Sequence, residues 1–251
     1  MNSVVVSSIV FVCVFGAALV GMAIRRALPE EHLGTDGKEV VRLSTALIST
    51  MVAMVLGLLV SSAKSFYDAR KNDVAEMASE VVNIDRLLGK YGPETADIRA
   101  EFRQNVEFGL YRIWPKQASL HAELRPGDRG EILADKLDQL TPKDDRQAGI
   151  KTQVKSLVLT TRQNQWLLFL KSEQNAIPLV LLVVLVSWMV AVFASFGLYA
   201  PANATVIVAL ALSAVAVSTA IFIMLEMYTP FSGVLRISPE PVLEALKQMG
   251  H

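Results

Sequence analysis

The chain is poor in the residues from which most catalytic and metal centres are built. It has one cysteine, Cys13, and three histidines, His32, His121 and His251. A single cysteine cannot form a disulfide within the chain, so cysteine usage says nothing about redox compartment. The histidines fall in different segments, with no metal-binding spacing. There is no GxxxxGK[ST] phosphate loop, and Gly34-Thr35-Asp36-Gly37-Lys38 is only superficially like one. No GxSxG nucleophile elbow occurs. The adjacent acids Glu30-Glu31 and Asp144-Asp145 point to different faces of a helix, as solvated surface residues do. The expectation is therefore no catalytic residue, no metal and no cofactor, and not an enzyme. Excess charge of either sign is also missing. The 24 basic and 24 acidic residues cancel, which leaves no basic footprint for nucleic acid.

The local absence of charge decides the fold class. No Asp, Glu, Lys or Arg occurs from Met1 to Ile24, from Leu43 to Ala63, or from Gln174 to Leu225. A membrane-crossing helix needs about 20 such residues. The third run is too long for one span and suits two, divided at Tyr199-Ala200-Pro201-Ala202-Asn203. Four spans are expected: Val4–Ile24, Leu43–Ala63, Ile177–Leu198 and Ala204–Leu225. Soluble core helices would not carry four charge-free runs of this length. Gly21-Met22-Ala23 loosely fits a signal cleavage site. The uncharged Met1-Asn2-Ser3 start and the following Arg25-Arg26 favour a retained span instead.

What remains is an all-α integral membrane protein in four parts. Residues 1–63 hold the first helix pair and residues 64–174 a soluble helical insert. Residues 175–226 hold the second pair and residues 227–251 a C-terminal tail. The insert carries 18 basic and 17 acidic residues. No breaker follows Ala63 until Gly89, and Val74, Met77, Val81, Ile84 and Leu88 recur at helical spacing. Span two should therefore run on into the insert, for roughly 37 Å from Lys64 to Leu88 at 1.5 Å per residue. A second helix is expected after Gly92-Pro93, with Ile98, Phe102, Val106, Leu110 and Ile113 inward. Arg125–Gly130 is expected to be a loop. Thr141-Pro142 predicts the start of a further helix carrying Ile150, Val154 and Leu157. Ser238-Pro239 predicts a short tail helix whose Val242, Leu243 and Leu246 lie in the membrane interface.

Within the spans, small and polar residues fall on stripes. Span two carries Ala46, Thr50, Ala53, Gly57 and Ser61; span four carries Thr205, Ala209, Ser213, Ala216 and Ala220. Such stripes permit close helix–helix contact, the more frequent explanation, or a water-lined path. Thr50, Ala53, Gly57 and Ser61 are thus candidates for pore lining or helix packing. No acid or base lies deep in any span, which argues against a proton relay or an ion-coupled carrier. Charge returns at Lys64 after span two and at Glu226 after span four. Both ends should emerge on one membrane face, so Lys64 and Glu226 are a candidate interfacial ion pair. The turn Thr229-Pro230-Phe231-Ser232-Gly233 then folds Val234–Ile237 back along the membrane edge, with Pro230, Phe231 and Gly233 as its motif.

Three stretches together carry a family resemblance: LPEEHLGTDGKEVVRLSTALISTMVAMVLGLLVSSAKS (Leu28–Ser65), FASFGLYAPANATVI (Phe193–Ile207) and EMYTPFSGVLRISPEPVLEAL (Glu226–Leu246). They resemble the bestrophin-like domain family of bacterial membrane proteins, over nearly the whole chain. The resemblance implies four spans, a large cytosolic helical insert between spans two and three, and an oligomeric ion pore. It implies no catalytic residue. Its motif places an acid shortly before a Pro-Phe-x-Gly turn, here Glu226 ahead of Pro230. One departure is plain. Bestrophins line a neck with aromatic residues on the second span, and Leu43–Ala63 has no Phe, Tyr or Trp.

Two functions follow from this organisation. One is an oligomeric ion channel in the bacterial inner membrane, with lipid and further copies of the chain as partners. The alternative is a non-transporting scaffold or sensor whose cytosolic helices bind a protein partner. Basic residues near span ends number six on the insert side (Lys64, Arg70, Lys71, Arg162, Lys171, Arg236) and four on the other (Arg25, Arg26, Lys38, Arg42). The positive-inside rule then puts the insert and the C-terminus in the cytoplasm.

Overall fold

A computed structural model describes residues 2–27, 35–115, 125, 129–174 and 179–249. Among the described residues the α-helices are α1 (Ser3–Ala27), α2 (Thr35–Tyr91), α3 (Ala96–Ile113), α4 (Arg129–Gln139), α5 (Asp145–Gln174), α6 (Leu179–Tyr199), α7 (Ala204–Met227) and α8 (Glu240–Gln248). No strand occurs among the described residues. Four helices, α1, α2, α6 and α7, are long and apolar enough to cross a membrane. The chain is an all-α integral membrane protein with a helical insert between its second and third spans. Helix starts are set locally. The Asn203 side chain accepts a hydrogen bond from the Val206 amide at 2.9 Å and so caps α7.

The chain divides into two compact units. The first joins Met1–Phe66 to Ala176–Tyr228. Here α1 packs against α6 and α7. Val14, Ala18, Leu185, Ala214 and Ile221 form the centre of its core. The closest approach is made by two glycines. A Cβ on Gly197 would stand 1.9 Å from the Ala18 carbonyl oxygen, and one on Gly21 would stand 2.2 Å from that of Ala194. Only hydrogen fits there. Gly21, which by sequence resembles part of a cleavage site, is a packing position.

The second unit joins Tyr67–Asn175 to Thr229–His251. Val74, Val81, Ile84 and Leu88 of α2 are buried against Ile98 and Phe102 of α3, as the helical spacing predicts. Gly92 turns the chain between these helices at φ +141°, a region that side chains rarely adopt. Pro93 opens a short 3-10 turn ahead of α3. The fully buried Thr95 donates its hydroxyl to the Leu88 carbonyl at 2.6 Å, satisfying an end group of α2. Asp85 is buried and accepts two hydrogen bonds from Arg99, at 2.9 and 2.8 Å.

Three sequence expectations are corrected in this unit. Helix α4 was not expected, yet Leu133 and Leu137 bury one face of it. Helix α5 begins at Asp145, not at Thr141-Pro142. Asp144 is the better cap, because its carboxylate accepts from the Gln147 amide at 2.7 Å. Helix α8 does not spend its apolar face on a membrane interface. Val242, Ala245 and Leu246 are buried in the core of the helical unit, and Leu243 alone of the expected trio is exposed. An amphipathic helix buries its apolar stripe in whatever apolar partner is at hand, and here that partner is protein. Much of the expected Arg125–Gly130 loop, Ile177 and all three histidines lie outside the described residues.

Candidate functional site

Span two presents three distinct faces. Leu59 and Ala63 are buried in the core of the membrane unit, with Ile48, Val52, Val55 and Leu56 packed against it. At 3.6 residues per turn, the small-residue stripe lies on roughly the opposite side. Thr50, Ala53, Gly57 and Ser61 are all exposed. Nothing lies within 4 Å of a Cβ built on Gly57. The structure therefore brings the four candidates onto one uncovered face. Beside them runs a bulky exposed row, Leu43, Leu47, Met51, Met54 and Leu58. The Thr50 hydroxyl donates to the Leu47 carbonyl of its own helix at 2.7 Å. A hydroxyl satisfied in this way can face an apolar or a wet surroundings without cost.

The exit of the membrane unit is built by α2 and α7. Glu226 is 3 % exposed, in the last turn of α7. Lys64 is exposed on α2. Each takes part in polar or electrostatic interactions. Sequence reasoning singled out these two charges and missed the aromatic residue beside them. Tyr228 donates its hydroxyl to Ser62 at 3.4 Å, and its ring lies 5.6 Å from that of Phe66. The signal was present in Glu-Met-Tyr, since a tyrosine at a span end offers an apolar body and a polar tip.

The turn motif belongs to the helical unit. Phe231 is buried there and meets Trp114 edge to face, at 5.9 Å between ring centres. The Trp114 indole N–H donates to the Ile237 carbonyl at 2.8 Å, and the Ile237 amide donates to the Pro230 carbonyl at 2.8 Å. Gly233 takes a positive φ of 85°. The fold-back from Pro230 to Ile237 is thus present, but Ile237 is buried in protein while Val234 is 73 % exposed. Pro230, Phe231 and Gly233 hold a loop rather than line a site.

A family model for the bestrophin-like domain matches residues 12–242. The chain belongs to the bestrophin-like domain family. No curated protein and no solved structure matches. The match covers all four apolar helices in whole or large part, together with the insert and the turn. This bestrophin-like chain has no aromatic side chain from Leu43 to Ala63. The first aromatic residue on α2 is Phe66, which contacts Tyr228. Among the described residues, no group of three or more His, Cys, Asp or Glu is placed to hold a metal ion.

Proposed function

We propose that this bestrophin-like protein is the subunit of a homo-oligomeric ion channel whose path is lined by span two. The observation that carries the reading is the uncovered stripe of Thr50, Ala53, Gly57 and Ser61 beside an exposed bulky row, on a helix whose Leu59 and Ala63 are buried in the core of the membrane unit. In the single chain all four are exposed, and nothing lies within 4 Å of a Cβ built on Gly57. Copies meeting around a common axis would cover the bulky row and leave small hydroxyl and glycine positions facing inward. The family membership supports the same reading. The channel would work without a catalytic step or a resident cofactor. Its place is the bacterial plasma membrane, with the insert and the C-terminal tail in the cytoplasm.

Purified protein in liposomes is expected to carry ions down an imposed gradient. Gly57→Leu or Ser61→Leu should cut the flux several-fold while leaving a folded particle, because a leucine narrows the path without touching the subunit core. Folded protein that passes no ion under any gradient contradicts the proposal. A reporter active only in the periplasm, fused after His251, should stay silent.

The exit pair completes the proposal. Glu226 is assigned to Lys64, in the same subunit or the next. A fully exposed pair would contribute about 0–1 kcal/mol. Removing one partner from a buried carboxylate costs more, because the charge is left uncompensated. In a double-mutant cycle of Glu226→Gln, Lys64→Met and both, read by thermal unfolding, the double variant should be less destabilised than the two singles added. Strict additivity would separate the two residues.

A further inference from the structure

The helical unit holds a pocket of about 170 Å³ that opens to the surface beside the exposed Phe108 and Arg125. Its walls come from α2, α3, α4, α5 and α8, so it lies wholly within that unit. The floor is apolar, with Val81 of α2, Phe102 of α3 and Leu133 of α4 among its lining. An engineered cavity of about 150 Å³ lined by aliphatic and aromatic side chains stays dry and binds benzene. This cavity is of that size class but is not purely apolar.

Two observations give it a polarity. Asn105 of α3 lines the cavity, and its Nδ2 is buried without a hydrogen-bond partner among the described residues. A buried amide donor left unsatisfied is costly, and an acceptor brought by a ligand would remove that cost. Among the described lining residues the charged side chains are Arg112, Arg125 and Arg162, of which Arg112 and Arg162 also take part in other polar or electrostatic interactions. Among the described lining residues there is no carboxylate, and the lining Thr161 hydroxyl donates to Glu80 at 2.8 Å. Arg112 is held in place, donating to the Arg125 carbonyl at 3.0 Å and stacked over Phe108 at 5.7 Å. Guanidinium groups beside an apolar chamber suit an anion with an apolar body, and their fork geometry matches a carboxylate.

We infer that this cavity is a binding site for a small amphipathic monocarboxylate, with an apolar body about the size of a benzene ring. The body occupies the apolar floor, the carboxylate meets the arginines, and Asn105 donates to an oxygen of the ligand. The site stands independently of ion conduction by the membrane unit.

The test uses the full chain in lipid nanodiscs and 4-fluorophenylacetate, observed by fluorine resonance broadening against empty nanodiscs. Saturable binding near or below about 1 mM is expected, a concentration at which one or two charge-assisted hydrogen bonds register. Asn105→Leu should weaken binding several-fold and raise the unfolding temperature of the ligand-free protein, since it removes the orphan donor. A merely structural asparagine would not link those opposite changes. Arg112→Gln should weaken binding about tenfold. Val81→Phe, which fills the floor, should abolish it. If Val81→Phe does not fold, the Asn105→Leu and Arg112→Gln affinities decide. Three results would overturn the inference: no saturable binding, equal affinity for the uncharged 4-fluorobenzyl alcohol, or affinity unchanged in the folded variants.

Discussion

Gly197→Leu is expected to be the most damaging single substitution in the membrane unit. A Cβ at this position stands 1.9 Å from the Ala18 carbonyl oxygen and 2.8 Å from its carbon, which are backbone atoms of α1 and cannot swing away. The two helices must separate, and the whole α1–α6 contact loosens with them. Overpacking a tight contact costs about 1–3 kcal/mol, and a backbone clash belongs at or above the upper end. Even Gly197→Ala should lower the unfolding temperature clearly. Gly21→Ala should do the same through the Ala194 carbonyl. Gly16→Ala is the control, because nothing lies within 4 Å of its Cβ and alanine is the better helix former. Equal thermal stability of Gly16→Ala and Gly197→Ala would refute the close approach.

The second large effect is expected in the helical unit. Arg99→Met removes the two hydrogen bonds that Arg99 donates to the Asp85 carboxylate, which is 3 % exposed. The buried carboxylate then loses these two charge-assisted hydrogen bonds and keeps only its other interactions. Breaking such a pair costs about 3–5 kcal/mol, and the lower figure applies because the Arg99 side chain keeps 27 % of its exposure. The same hydrogen bonds to Asp85 hold the Arg99 guanidinium pKa above its ordinary value. Asp85→Leu combined with Arg99→Met should recover much of the loss, since a well-packed apolar pair needs no compensation. Chemical unfolding of Arg99→Met, Asp85→Leu and this double variant, followed by circular dichroism, checks this. A double variant as unstable as the two singles added would show that the pair is not coupled.

The membrane helices were legible because charge is excluded from lipid, and exclusion leaves a mark in sequence that no tertiary context can override. The faces of α2 and α3 were legible for a similar reason, since Val74 to Leu88 and Ile98 to Ile113 keep a strict helical period. The misses share a different cause. Among the described side chains of α4, Leu133 and Leu137 are the buried positions, too few to establish a period. Val242 and Leu246 announce an amphipathic helix, but a stripe does not say whether lipid or protein will cover it. Gly21 and Gly197 lie far apart in sequence, and only the fold shows that each faces the backbone of the other's helix. At the candidate site, the stripe Thr50 to Ser61 could be found by counting along the helix. That it is left uncovered within one chain follows only from where the rest of α2 packs.

The most direct test of the channel reading is the protein mass of the native particle in mild detergent, by light scattering. One chain contributes 27.4 kDa. A path lined by several copies of span two predicts a discrete particle of at least three chains, with the same mass in Gly57→Leu. A native particle holding a single chain would contradict the account.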